Sequence, residues 1–266
     1  MESIEIARKL RMDVIEMSHR SGAAHLGSSL STIDILSVLY TYVLNKVSSK
    51  EKNYDERDRF ILSKGHAATA LYATLAYFEI IDKKELLNYG TKGSLLEEHP
   101  STKLNGVEAA TGSLGHGLPI ANGMSLAAKI LKKSYKVYAL MSDGECNEGS
   151  VWEAAMFASK NKLDNLTAIV DFNKWQATGR SQEIMQLDPL SEKWESFGWH
   201  VLQVNGHSHK ELLKALNKKL PNKPKMIIAD TIKGKGVSFM EDNNNWHYRS
   251  PNDSEVEAAR KELGLL

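Results

Sequence analysis

Cysteine, proline and unbroken apolar runs are all scarce in this 266-residue sequence, and its charges nearly cancel. The single cysteine, Cys146, excludes an internal disulfide framework and fits a reducing compartment such as the cytoplasm. The six prolines are scattered, and there is no linker rich in Pro or Ser, no repeat and no low-complexity tract. One large domain over residues 1–266 is therefore expected, and 42% hydrophobic residues are enough to build its core. No run approaches the roughly eighteen apolar residues that a membrane span needs. The N-terminus, "MESIEIARKLRMDVIEMSHRSG", is amphipathic and charged, unlike a signal peptide. Lys plus Arg total 34 against 33 for Asp plus Glu, a net charge of +1, so no basic field exists for nucleic acid. Short clusters such as "KKSYK" and "NKPK" read as solvated helix ends and turns.

What the sequence does contain is a regular alternation. Apolar spacing predicts helices near 3–19, 31–45, 66–79, 116–133, 148–162, 189–197, 208–220 and 253–263. Runs of strand formers predict strands near 59–62, 136–141, 166–172, 199–204 and 225–231. Helices alternating with mostly apolar strands indicate an α/β fold, a doubly wound, mostly parallel sheet with helices on both faces. The least regular regions, 21–30, 88–115 and 232–250, are the richest in Gly and His.

The stretch "MSDGECNEGSVWEAAMFASKNKLDNLTAIVDFNKWQ" (141–176) carries the first chemical signal. Together with the run at 136–141 it reads as strand, helix, strand, a βαβ unit with a right-handed crossover. Ligands of open parallel sheets gather beyond the carboxyl ends of the strands, where Asp143 and Asn173 fall. One anionic and one neutral oxygen ligand suit Mg²⁺ or Ca²⁺ better than Zn²⁺. Mg²⁺ held by so few protein groups is normally shared with phosphate. Gly144 lets backbone approach a diphosphate, and a helix starting near Asn147 or Glu148 offers free N–H groups. An Asp-Gly turn and an Asn after a strand are also ordinary punctuation, so the stretch alone leaves both readings open. Cys146 beside it reads as a small packing residue.

Four histidines fall in predicted loops: His25 in "SGAAHLGSS", His66 in "LSKGHA", His99 in "LLEEHPST" and His247 in "GKGVSFMEDNNNWHYRSP". Each alone is most simply a surface or capped histidine. Four in loops that can meet at one sheet edge suit a diphosphate and a polyhydroxylated substrate, through imidazole donors, acceptors and charge.

These features together resemble the thiamine diphosphate motif, a G-D-G followed some thirty residues later by N, with Ser142 in place of the first Gly. "NEG" followed by "WEA" resembles transketolase in particular. The resemblance runs over nearly the full length. "HLG" is similar to H-P-G with Leu26 for Pro, "SKGHA" to S-N-G-H-A, and "EEHPST" to a G-H-P segment with Glu98 for Gly. "TGSLGHG" is similar to T-G-P-L-G-Q-G with His116 for Gln, and Tyr248 replaces a small residue. The resemblance implies that Asp143 and Asn173 bind Mg²⁺ through their side chains, with Ca²⁺ or Mn²⁺ as substitutes, and that Trp175 offers its main-chain carbonyl. It further implies that Gly144 and Glu145 lie against the diphosphate, and that Gly112 and Leu114 touch the aminopyrimidine and thiazolium. The implied catalytic set is His66 and His247, on diphosphate and substrate hydroxyls, with His25 and His99 on the C1 and C2 oxygens of a ketose. His19, His200, His207 and His209 match nothing and read as structural.

A full transketolase chain has two further domains, whereas this chain ends at Leu266 after a predicted terminal helix. The resemblance therefore implies the N-terminal subunit of a split transketolase, moving a two-carbon ketol unit from a phosphorylated or otherwise acidic ketose to an aldose. Thiamine diphosphate and Mg²⁺ would be its cofactors, and a C-terminal subunit carrying the pyrimidine-binding domain its partner. The implied assembly is a heterotetramer with two copies of each subunit, with Glu148 and Glu153 as candidates for contact between copies. The alternatives are the alpha subunit of a 2-oxoacid dehydrogenase, a deoxyxylulose phosphate synthase, and a non-catalytic cofactor-binding protein.

Overall fold

A computed structural model describes residues 1–45 and 56–265; residues 46–55 and 266 of the expected domain lie outside the described residues. At its centre are five strands, β1 (Arg59–Leu62), β2 (Val137–Ser142), β3 (Leu166–Phe172), β4 (His200–Asn205) and β5 (Lys225–Asp230). They form one sheet in the order β1-β2-β3-β5-β4, and every neighbouring pair is parallel. Side chains alternate strictly between its two faces. Phe60, Leu62, Tyr138, Leu140 and Ile227 enter one core, and Ile61, Val137, Ala139, Met141 and Met226 the other.

Helices cover both faces, as the sequence pattern predicts. Helices α1 (Glu2–Ser21), α3 (Ile33–Val38), α4 (Ala68–Tyr77), α9 (His209–Asn217) and α10 (Asp253–Glu262) close the first core. Helices α5 (Gly117–Ile130), α6 (Gly149–Lys160) and α8 (Leu190–Ser196) close the second. No helix among the described residues is long and apolar enough to cross a membrane.

The departures from the predicted elements have local causes. The helix expected over 31–45 is helical only to Val38, and then widens over Leu39–Val43, where the Leu44 N–H reaches back five residues to the Leu39 carbonyl (2.9 Å). The helix expected over 208–220 ends at Asn217, where the Lys225 ammonium takes the carbonyls of Ala215 and Leu216, which a helix to 220 would use internally, and also that of Lys218. A helix α2 (Leu26–Leu30) lies in the region expected to be irregular, and five residues are too few to show a helical period. One more short helix, α7 (Ser181–Ile184), follows β3.

Register sets up the site. Ser142 pairs with Asp171 across β2 and β3, so Asp143 and Asn173 leave the sheet from adjacent strands with a stagger of one residue.

Candidate active site

Asp143 has no exposed surface, and its carboxylate joins three segments. It accepts from the N–H of Gly144 (2.8 Å), the N–H of Lys174 after β3 (2.8 Å) and the hydroxyl of Ser181 at the start of α7 (2.8 Å). Burial, with Asp171 close by, pushes Asp143 up to about 6 despite these donors. A cation beside it would draw it back to the ionised form.

Asn173 is oriented from behind. Its Nδ2 donates to Asp171 (2.8 Å), and its Oδ1 accepts from the Trp175 N–H (3.1 Å). Asp171 is completely buried and also accepts from Lys64 Nζ (2.5 Å), Ser31 (2.7 Å) and Thr231. Burial raises the Asp171 carboxyl, but Lys64 and the hydroxyl donors outweigh it and hold the group below the usual carboxylate range. Lys64, equally buried, also donates to the Ser28 carbonyl (3.0 Å).

The four loop histidines do converge. Ring centroids of His25 and His247 are 4.9 Å apart, those of His25 and His66 5.5 Å, and those of His66 and His247 6.2 Å. The His25 N–H donates to the His247 carbonyl (2.8 Å), and His25 itself adopts a left-handed conformation (φ 68°) that starts α2. His99 is seated against Gly112, where a Cβ would come within 2.7 Å of its ring; φ there is 155°, so only glycine suits the position.

These histidines, with Gly112 and Leu114, face Gly144, Asn173 and Trp175 across one cleft of about 340 Å³. A larger hollow of about 910 Å³ beyond the ends of β4 and β5 holds none of them. Asp143 and Glu145 stand behind the cleft wall. The Glu145 carboxylate, absent from the cleft lining, accepts from Ser63 after β1, the Gly115 N–H (2.9 Å) and the Ser142 N–H (3.3 Å). His116 at the head of α5 turns back to the Leu114 carbonyl (3.1 Å), and Tyr248 donates to the Ala177 carbonyl (2.5 Å) at the cleft's rim.

Sequence reasoning missed Lys64, Asp171, Lys233 and Gln176. Lys233 has no exposed surface and sends its ammonium to Asn244 (2.6 Å) and His247 Nδ1 (3.1 Å). His247 Nδ1 is thus an acceptor, which leaves its Nε2 as the N–H donor. One signal was present: Asp171 interrupts the apolar run "LTAIVDF", and a carboxylate inside a buried strand needs partners. Nothing marks Lys64 or Lys233 as buried among the sequence's other lysines.

The electrostatics ask for an anion. Burial, then the neighbouring Lys64, lowers the pKa of Lys233 to about 7, and burial, then Lys233, lowers that of His247 to about 3. Burial likewise lowers His25 and drives His66 well down. A diphosphate would reverse these shifts by giving the cationic forms a counter-charge. Among the described residues no three His, Cys, Asp or Glu side chains converge as a self-sufficient metal site. The oxygens of Asp143 and Asn173 nevertheless fit a hard cation whose remaining ligands come from phosphate.

The chain matches the family described as transketolase, thiamine diphosphate binding domain, over residues 1–266. It is 40% identical over 266 residues to an apulose-4-phosphate transketolase subunit of Phocaeicola vulgatus, covering 99% of this chain and 94% of that one. It is 43% identical over 243 residues to the 6-deoxy-6-sulfo-D-fructose transketolase subunit of a Clostridium species, covering 89% and 86%. The fold superimposes on the crystal structure of Campylobacter jejuni transketolase with a TM-score of 0.92 at 31% identity, covering 99% of this chain and 43% of that longer one. Sequence, fold and the arrangement of the cleft agree, and the chain belongs to the transketolase family through its thiamine diphosphate binding domain.

Proposed function

We propose that this chain is the cofactor-binding N-terminal subunit of a two-subunit transketolase that transfers a two-carbon ketol unit from an acidic ketose to an aldose. The observation that carries the reading is the meeting of four loop histidines with Gly144 and Asn173, which follow the adjacent strands β2 and β3, in one cleft, with the buried Asp143 beside Gly144. Relatives named for an apulose phosphate and for a sulfofructose support an acidic ketose, and the names of both as subunits support a partner chain.

In this reading residues 1–266 are one diphosphate-binding domain. Asp143 and Asn173 hold Mg²⁺ through their side chains and Trp175 through its carbonyl, with Ca²⁺ or Mn²⁺ as substitutes. Gly144 lies against the diphosphate, and Glu145 contributes by fixing the Gly115 N–H and Ser63 around it. Gly112 and Leu114 carry the rings. Bound there, thiamine diphosphate supplies a nucleophilic carbon and an electron sink for breaking the ketose bond between C2 and C3. His66 and His247 orient the diphosphate and substrate hydroxyls, with His247 donating from Nε2 while Lys233 occupies Nδ1. His25 and His99 hold the C1 and C2 oxygens and move protons at them. The partner supplies the pyrimidine-binding domain and reads the acidic tail. Two copies of each chain assemble, with the exposed Glu148 just before α6 and Glu153, Met156 and Phe157 along it meeting a second copy.

Reconstitution tests this directly. The purified chain, a C-terminal transketolase subunit, thiamine diphosphate and Mg²⁺ are mixed with phosphorylated and sulfonated ketoses and an aldose acceptor. Turnover is expected only with both subunits present. Turnover by the chain alone, or pyruvate consumption in place of ketol transfer, contradicts the reading.

A further inference from the structure

We propose that Gln176 is a cofactor-binding residue whose side-chain amide donates a hydrogen bond to a phosphate oxygen of the diphosphate; the inference rests on the cofactor reading above. Gln176 lines the cleft, next to Trp175 in the chain and packed against Gly144 of the Asp-Gly turn. Its Nε2 is shut off from solvent and has no hydrogen-bond partner among the described residues. The neighbouring amides are engaged: Asn173 donates to Asp171 (2.8 Å) and Asn244 to the Ala177 carbonyl (2.9 Å). A buried N–H₂ group without an acceptor is a standing destabilisation, and native structures rarely keep one unless a ligand completes it.

The side chain is also seated in a groove made for it. A Cβ at position 144 would lie 2.9 Å from Gln176 Cγ and 3.0 Å from Cδ, so the glycine of the Asp-Gly turn is what lets the amide lie flat over the loop. Its backbone is fixed as well. The Gln176 N–H donates to the Gly179 carbonyl (2.9 Å), and the adjacent Trp175 indole donates to Asp242 (2.7 Å). With the backbone held this way, only the side chain has to turn to meet a ligand, which limits the freedom lost on binding.

The chemistry of the acceptor follows from the surroundings. Among the described residues no carboxylate lines the cleft, and its four imidazoles, with the Lys233 ammonium behind His247, can offer donors and charge to an anionic oxygen. A neutral amide donor beside them adds a directed bond without adding charge, whereas a carboxylate at 176 would oppose the same oxygen.

Titration calorimetry on the full chain with Mg²⁺ tests the assignment, using thiamine diphosphate and inorganic pyrophosphate as separate probes against the parent, Gln176→Met and Gln176→Glu. Gln176→Met is expected to weaken both probes by about tenfold, the scale of a hydrogen bond to a charged group. Gln176→Glu should weaken both further. The ligand-free variants should melt within about 2 °C of the parent, since no protein partner is lost. Binding of both probes by Gln176→Met within twofold of the parent overturns the inference. So does a loss confined to thiamine diphosphate, which would put the amide on the rings, and so does a Gln176→Glu variant that binds as well as the parent. If the parent binds neither probe, alone or together with the C-terminal subunit, the cofactor reading falls and the inference with it.

Discussion

Asp171→Asn is the sharpest perturbation of the site's foundation, because it changes one buried atom and touches neither metal nor cofactor in the proposed reading. The Asp171 carboxylate accepts from the Lys64 ammonium, the Ser31 and Thr231 hydroxyls and the Asn173 amide. Asparagine preserves the size but leaves the Lys64 ammonium, which has no exposed surface, without a counter-charge. Removing one partner of a buried pair costs about 3–5 kcal/mol. With an unfolding entropy of about 2.1 cal/mol/K per residue, that lowers the melting temperature of a chain this long by roughly 5–9 °C. Lys64→Met should cost less, since Asp171 keeps three donors. The double variant should recover part of the loss, because no buried charge is then left alone. The second readout is affinity. Asp171 turns the Asn173 amide, so Asp171→Asn should weaken Mg²⁺-dependent thiamine diphosphate binding about tenfold, as for other groups that orient a metal ligand. Denaturant unfolding and titration calorimetry read the two effects separately. A stability loss under about 1 kcal/mol in Asp171→Asn, or a double variant less stable than both singles, refutes the account.

The other expectations concern the cleft itself. Asp143→Ala should abolish Mg²⁺-dependent cofactor binding, and Asn173→Ala should weaken it by about 1–3 kcal/mol; calorimetry showing unchanged affinity in Asp143→Ala removes the metal assignment. His99→Ala, and His25→Asn because asparagine tolerates the left-handed backbone there, should melt near the parent temperature while turnover with the partner drops about tenfold to a thousandfold. Unfolding of either variant would mark that residue as structural. The lowered pKa of His247 means that, below the unfolded-state value near 6.5, the unfolded chain takes up a proton that the folded chain refuses down to about 3. Its contribution is therefore lost as pH falls, by about 2 kcal/mol at pH 5. Asp143, raised to about 6, titrates in the opposite sense, so the comparison is with His247→Gln: its stability should decline less than the parent's between pH 7.5 and 5, and equal declines contradict the assignment.

How much was legible follows from what each residue does. The five strands and their two-sided covering were readable because apolar residues recur with the period of the element that buries them. Asp143 and Asn173 were readable because they follow apolar runs, and a parallel sheet brings such ends together. The histidine loops were readable only as a set, and their meeting at ring separations near 5–6 Å is a property of the fold. Burial of charge was readable only at Asp171, inside an apolar run. Lys64, Lys233 and Glu145 have the composition of a surface, and only the three-dimensional path of the chain removes them from water. Gln176 escaped notice for a related reason: its distinguishing feature is a missing partner, which no single sequence displays.

The buried carboxylates share a logic that suggests a control. Loops cannot satisfy their own backbone or hold their own positions, and a desolvated carboxylate that accepts several bonds can tie several loops at once. Asp143 joins the loops after β2 and β3, and Asp171 joins the segments around Lys64, Asn173 and Thr231. Asp34 does the same on the far side of the β5 end. It accepts from Arg11 (2.6 Å), His207 (2.7 Å) and His209 (3.0 Å), while His207 Nε2 accepts from the Ile232 N–H (2.8 Å). Burial raises the Asp34 carboxyl, but Arg11 and the two histidines hold it far below the carboxylate range. Asp34 and its three partners lie outside the cleft lining, so Asp34→Asn should lower stability on the same scale as Asp171→Asn, about 3–5 kcal/mol, while changing cofactor affinity less than threefold. Its contribution is present at neutral pH and is lost only as pH falls below the unfolded-state value near 4, so the two variants should differ from the parent least in strong acid. If Asp34→Asn weakens cofactor binding as much as Asp171→Asn does, affinity is reporting general loosening of the sheet end, and the specific orientation of Asn173 by Asp171 is not what sets it.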